Sequence, residues 1–145
     1  MQIQLINNDL LVKLHQSAQC IELKRVNFDL RTTPNDLSQR MLNVMEPGTD
    51  VPIHRHLNTS ETVVCLTGCL DWVIYELLPK YKDNYELNTL DILTDKSLVH
   101  EVRRFRISPR EQIYGIQIPC GVWHSVEVYE PSTIMEAKDG PYRLK

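Results

Sequence analysis

Apolar and polar residues change rhythm near residue 39. Before it, Leu11, Leu14, Ala18 and Ile21 recur at the steps of one helix face, with Asn8-Asp9 ahead of them as an N-cap. This predicts one amphipathic helix of about three turns, over residues 9–20, covering one side of the domain. His15 falls within it beside Leu14 and reads as a surface histidine. Residues 25–30 are too short to assign, and Thr32-Thr33-Pro34-Asn35-Asp36 is rich in turn formers. After residue 39 the apolar runs shorten and alternate. Strands are expected over 40–45 (stopped by Pro47-Gly48), through the histidine segment at 53–56, and over 61–66 and 70–75, with Thr67-Gly68 as a turn between the last two. Further strands are expected over 99–107, 112–118, 123–129 and 133–137. Between them, residues 79–84 read as an exposed excursion, and Thr89-Leu90-Asp91-Ile92-Leu93 as part of a short hairpin. Short strands divided by Gly, Pro and Asn indicate an all-β sandwich or barrel. No linker, repeat or low-complexity tract divides the chain, so residues 1–145 read as one domain with its barrel over about 39–137.

Composition leaves that picture intact and removes some functions. At 145 residues and 42% hydrophobic, the chain can bury a core without staples. A net charge of −3 supplies no attraction to nucleic acid or an anionic membrane. No apolar run approaches the roughly 20 residues that span a bilayer. The start, Met1-Gln2-Ile3-Gln4-Leu5, lacks the regions of a signal peptide, so the cytoplasm is the expected location. Cys20, Cys65, Cys69 and Cys120 are then expected as reduced thiols. Arg103-Arg104-Phe105-Arg106 is the one basic run, and alternation puts Arg104 and Arg106 on a solvated exterior.

The chemistry concentrates in Pro52-Ile53-His54-Arg55-His56-Leu57-Asn58-Thr59-Ser60-Glu61. In a strand, His54 and His56 leave the same face, and a turn through 57–60 brings Glu61 back at the start of the next strand. Two imidazoles and a carboxylate on one face are a common grip on a divalent ion. Far downstream, Pro119-Cys120-Gly121 sets a tight turn before Trp123-His124, and His124 shares its alternation with Val126 and Val128. Three imidazoles and one carboxylate suit Fe, Mn, Zn, Ni or Co and disfavour Mg or Ca. Four protein ligands on an octahedral ion leave two positions open to water or substrate.

At this point the chain resembles the cupin superfamily. Gly48, His54, His56, Glu61 and Gly68 fall at every spacing of its first motif, G-x5-H-x-H-x3,4-E-x6-G, and Pro119, Gly121 and His124 match its second, G-x5-P-x-G-x2-H-x3-N. Two positions depart from the second motif: Gly115 stands four residues before Pro119, and Val128 replaces the closing Asn. The helical start, Gln39-Arg40-Met41, the histidine segment, the run from Tyr114 to Pro119, Trp123-His124-Ser125 and the ending from Glu136 to Tyr142 are similar to the WbuC family of cupin-fold metalloproteins. The likeness covers about residues 10–142, interrupted near 77–100 by what reads as an insertion. It implies a double-stranded β-helix barrel holding one metal, found in the context of polysaccharide or O-antigen biosynthesis, and pairing as a homodimer.

The functional expectation is a metalloprotein with His54, His56, Glu61 and His124 as ligands, acting on a small polar metabolite such as a sugar or sugar derivative. Isomerase or epimerase chemistry and dioxygenase chemistry both fit, and the rival is a non-catalytic, metal-dependent binding or regulatory module. Arg40 could clamp a carboxylate or phosphate, or simply be an exposed strand arginine. Glu136 and Lys138 share a strand face and one of them could serve in acid-base chemistry, or they form a solvated pair or salt bridge. Trp123, Tyr75, Tyr114 and Tyr129 read as packing. No phosphate-binding glycine loop, dinucleotide fingerprint or serine-nucleophile elbow is present.

Overall fold

The structure is a computed structural model that describes residues 3–82 and 86–140. Asp83-Asn84 of the expected excursion and Pro141-Tyr142 of the ending motif lie outside these residues, as does the Met1-Gln2 start. One helix, α1 (Asn8–Gln19), precedes the strands β1 (Arg25–Asp29), β2 (Ser38–Met45) and β3 (Glu61–Leu77). A short helix α2 (Thr89–Thr94) follows, then β4 (Val99–Ile107), β5 (Gly115–Ile118) and β6 (Trp123–Asp139). All strand pairs are antiparallel, in the order β1-β2-β6-β3-β4, with β5 on the first half of β3.

Two strands organise the barrel. β3 and β6 are each 17 residues long and pair from Glu61↔Lys138 through Tyr75↔Trp123. The N-terminal half of β3 joins β5 on one side and the end of β6 on the other, while its C-terminal half joins β4 and the start of β6. The change occurs where the register slips between Cys65 and Leu70. The expected turn at Thr67-Gly68 is therefore a bulge inside one continuous strand. Gly68 sits at φ +107°, and a Cβ there would come within 2.6 Å of the Pro131 carbonyl oxygen and the Ser132 Cα across the ladder. Only glycine allows β3 and β6 to stay this close through the bend. Pro131 falls in the same irregular stretch, where its missing N–H costs no ladder bond. The two strands expected at 123–129 and 133–137 are accordingly one.

The interior packs Met45, Val63, Leu70, Trp72, Ile107, Val128 and Ile134, all nearly inaccessible. Leu42 and Val44 point to the opposite face of β2 and are also fully buried. Helix α1 covers them, contributing Leu11 and Ala18; each aliphatic side chain of leucine size stabilises by about 1.5–3 kcal/mol when buried. The N-cap is Asn7, whose side chain accepts from the Leu10 N–H, and not Asn8-Asp9. His15 is a correction too. Its Nδ1 lies 2.8 Å from Glu46 Oε1 and its Nε2 3.0 Å from Thr133 Oγ1, so it pins α1 to the sheet.

The hairpin expected through Thr89 is the helix α2. Asn88 accepts from the Asp91 N–H while the Asp91 carboxylate accepts from the Asn88 N–H, a reciprocal cap that starts a helix even this short. All four cysteines are free. Among the described residues no helix is long and apolar enough to cross a membrane.

Candidate metal centre

His54 and His56 lie on an extended segment that makes a single bridge and no full strand. That bridge joins the two halves of the site. The His54 N–H donates to the His124 carbonyl at 3.0 Å, and the His124 N–H donates back at 2.8 Å. Two residues on, the Gly121 N–H donates to the His56 carbonyl at 2.8 Å. Gly121 needs φ +83° to turn the chain there, which explains the glycine just before the histidine strand. Hydrogen bonds between the two segments, far apart in sequence, thus set the positions of all three imidazoles.

One nitrogen from each of His54, His56 and His124 lies within 4.8 Å of the other two. Their ring centroids are 4.3–5.6 Å apart. Trp72 stacks on His124 with ring centroids 5.9 Å apart, closing the inner side. The Nδ1 of His54 is 2.7 Å from the Pro52 carbonyl, and that of His124 is 2.9 Å from the Val122 carbonyl. A carbonyl can only accept, so both rings carry their proton on Nδ1 and present a bare Nε2 lone pair. The buried Nε2 atoms of His56 and His124 have no hydrogen-bond partner. Glu61 Oε2 approaches His56 Nε2 to 3.0 Å, off the geometry of a hydrogen bond, and Glu61 Oε1 stands 3.9 Å from His124 Nε2. At His124 an orphaned buried nitrogen and a tautomer fixed by a backbone carbonyl coincide, which is what an ion of the nitrogen-binding class requires.

Electrostatics agree with that reading. Burial holds His54 below its usual range and His124 down to about 4, so both rings are neutral at pH 7. Burial pushes the Glu61 carboxyl up, but the His56 contact and the surrounding imidazoles outweigh it, and the net direction is down.

A cavity of about 360 Å³ opens onto His54, His56 and Glu61. Its walls include Arg25 and Asn27 of β1, Met41 and Asn43 of β2, Thr89 of α2, Arg55 and Glu136. Glu136 is held up to about 8 by burial and by the charge of Glu61, with hydrogen bonding from Asn43 and the Lys138 charge acting the other way. Lys138 lies one step along the same face, opposite Glu61 in the ladder, and its Nζ is 3.5 Å from the Gly140 carbonyl. Arg40 lies elsewhere. It donates to Asp36 Oδ2 at 2.6 Å and to the Ser38 carbonyl at 2.9 Å, while its neighbours Met41 and Asn43 line the cavity. Trp123 packs with Ile92 and Val99, and the Arg55 guanidinium lies 4.5 Å over its ring. Sequence reasoning missed Arg25, Asn27, Asn43 and Arg55. The alternation Arg25/Asn27 was visible, but nothing local showed that β1 would form the cavity's rim.

Comparison with known families places the chain. A family described as a domain of unknown function, DUF6016, matches residues 6–87. The chain belongs to the DUF6016 family. The matched part holds His54, His56 and Glu61, while His124 lies beyond it. No curated protein matches the sequence. Among solved structures, the capsular polysaccharide assembling protein CapF from Staphylococcus aureus superposes with a TM-score of 0.56 at 15% identity, over 81% of this chain and 27% of that one. The DUF6016 chain therefore spans about a quarter of the length of CapF. The Cnp3 cupin domain of Schizosaccharomyces pombe gives 0.53 at 10% identity, over 83% of this chain and 67% of that one. SPY1581 from Streptococcus pyogenes, a conserved protein of unknown function, gives 0.58 at 11% identity, over 99% and 92%. At these identities the likeness is one of fold, and the fold is the all-β cupin jelly roll.

Proposed function

We propose that this DUF6016 protein is a metal-dependent cupin that holds one divalent transition ion through His54, His56, His124 and Glu61 and acts on a small polar metabolite, such as a sugar or sugar derivative. One observation carries the reading: the buried Nε2 atoms of His56 and His124 have no partner and cluster with His54, and a cavity reaches His54, His56 and Glu61. Nitrogen-rich ligation favours Fe, Mn, Zn, Ni or Co. A bound ion of this kind supplies a Lewis acid at the cavity floor. The chain supplies the rest. Glu136, in the same wall, holds or takes a proton, and Asn43 orients its carboxyl. Asn27 and Thr89 offer hydrogen bonds to hydroxyl groups. The carbohydrate class is supported by the fold shared with CapF, which its name ties to capsular polysaccharide assembly, and by the likeness to WbuC proteins. A homodimer in the cytoplasm completes the proposal.

Elemental analysis tests it. Purified protein should carry near one ion per chain, and His54→Ala and His124→Ala should carry near none while keeping the wild-type circular dichroism. Full metal content in both variants would overturn the ligand assignment. The second reading is a binding module without turnover, in which the ion and the cavity wall hold a ligand and no reaction follows. Tight ligand binding with no product formed by the loaded protein would favour it over an isomerase, epimerase or dioxygenase.

A further inference from the structure

Arg25 stands apart from the arginines of the outer surface. Arg31, Arg40, Arg104, Arg106 and Arg110 each pair with a carboxylate. Arg25 pairs with none among the described residues. It opens β1, where it alternates with Asn27 toward the cavity. Its Nη1 donates to the Asp50 carbonyl at 2.7 Å and to Thr49 Oγ1 at 3.3 Å. Thr49 in turn donates to the Leu23 carbonyl at 2.7 Å, which ties the anchor to the start of the sheet. The guanidinium is thus held by one nitrogen, while its Nε and Nη2 donate to no described group. Those two N–H donors form the edge that matches a planar carboxylate in a bidentate pair.

The charge of the cavity wall points the same way. A divalent ion at the histidines would add its charge to that of Arg25, and together they exceed the carboxylates of Glu61 and Glu136, so the cavity would be positive. A neutral sugar answers none of that charge. A volume of about 360 Å³ holds a six-carbon molecule, and the amides of Asn27 and Asn43 give its hydroxyls partners beside Arg25.

We propose that Arg25 is the anion seat of this cavity and that the ligand is a small polyhydroxylated carboxylic acid, its carboxylate on the open edge of Arg25 and a second oxygen toward the histidine cluster. The inference rests on the proposed metal centre and narrows its substrate class. A single guanidinium edge suits a carboxylate better than a phosphate ester, whose dianion calls for more donors than Arg25 offers.

Calorimetric titration of the metal-loaded protein tests this. The probes are D-glucuronate and D-galacturonate, with D-glucose, D-galactose and D-glucose 6-phosphate as the comparison. At least one uronate should bind about tenfold or more tighter than its neutral sugar and tighter than the phosphate. Arg25→Gln should remove that advantage while leaving metal content as in the wild type. Arg25→Lys keeps the charge without the planar fork, so it should fall between the two and serves if Arg25→Gln folds poorly. Equal affinity for acid and neutral sugars, or a uronate preference untouched in both variants, would overturn the inference with the metal centre standing. A phosphate preference that depends on Arg25 would also overturn it, in favour of a phosphorylated ligand. A wild-type protein that takes up no ion would instead remove the metal centre on which the inference rests.

Discussion

On the outer face of β3, β4 and β6, Asp71 accepts from Arg106 at 2.7 Å and from the Tyr129 hydroxyl at 2.7 Å, and Arg104 links Glu101 and Glu127 beside it. In and beside the cavity of the same barrel, His56 and His124 keep buried nitrogens without partners, Glu136 shares its neighbourhood with Glu61, and Arg25 meets no carboxylate among the described residues. The outer charges are matched within the chain. The inner nitrogens have no such match among the described residues, as the proposed ion requires. A fold can hold such mismatch only where surrounding bonds fix the groups in place, and here the reciprocal His54–His124 backbone bridge does so.

Removing the ion should separate the two regions most sharply. With free metal about a thousandfold above its dissociation constant, binding adds about 4 kcal/mol, or roughly 10 °C in Tm for a chain of this size. Scanning calorimetry with and without a chelator should show that difference in the wild type and none in His124→Ala. An equal shift in both would mean that the stabilising ion sits elsewhere.

Acid and base provide the next test, on the metal-free protein. His124 falls from the usual 6.5 to about 4. As pH drops through 6.5 the unfolded chain takes a proton that the folded chain refuses, so stability is lost between about pH 6.5 and 4. Glu136 rises from 4.5 to about 8, so its contribution has the opposite sign: it is fully present below 4.5 and is lost as pH climbs toward 8. The two oppose each other between 4.5 and 6.5, and a variant is needed to separate them. Glu136→Gln should stabilise the protein on the order of 3 kcal/mol at pH 8 and little near pH 4.5. Urea unfolding at the two pH values reads this directly, and a difference independent of pH would place Glu136 in a different environment.

The outer network should respond more weakly. Burial pushes the Asp71 carboxyl up, but the Arg106 and Tyr129 bonds outweigh it and hold it below its usual range. Its contribution is present above the ordinary carboxylate pKa of about 4 and is lost only as pH falls further. Asp71→Asn should cost about 1–2 kcal/mol at pH 7, less in high salt because its arginine partners are partly exposed. Arg110, paired with Glu130 in open solvent, should tolerate replacement by alanine with no change in Tm. A large loss there would show that the exterior is more tightly coupled than its exposure suggests.

Legibility in the sequence followed how local each signal was. His54, His56 and Glu61 lie within one short stretch, and the Pro119–His124 turn is compact, so their spacings could be read without knowing the fold. Gly68 was misread because the same residue that makes a turn also makes a bulge, and only the close passage of Pro131 and Ser132 decides between them. Asn88 and Asp91 carried a helix-start pattern that the alternation around Ile92 obscured. Arg25 and His15 owe their positions to pairings with distant residues, Met45 for the one and Glu46 with Thr133 for the other, and nothing near them in sequence records this.

The long β3–β6 ladder also orders assembly in time. Pairing that begins at Tyr75↔Trp123 closes a shorter loop than pairing at Glu61↔Lys138, and shorter closures cost somewhat less entropy. The ladder should therefore zip from the His124 end, through the Gly68 bulge, toward Glu61. Pulse-labelled hydrogen exchange should find amides in the 70–75 stretch protected before those at 61–65, and the reverse order would refute the sequence of events. An ion arriving during folding would meet His124 already in place and Glu61 last, so capture waits for the final few rungs, and loss begins when those same rungs fray.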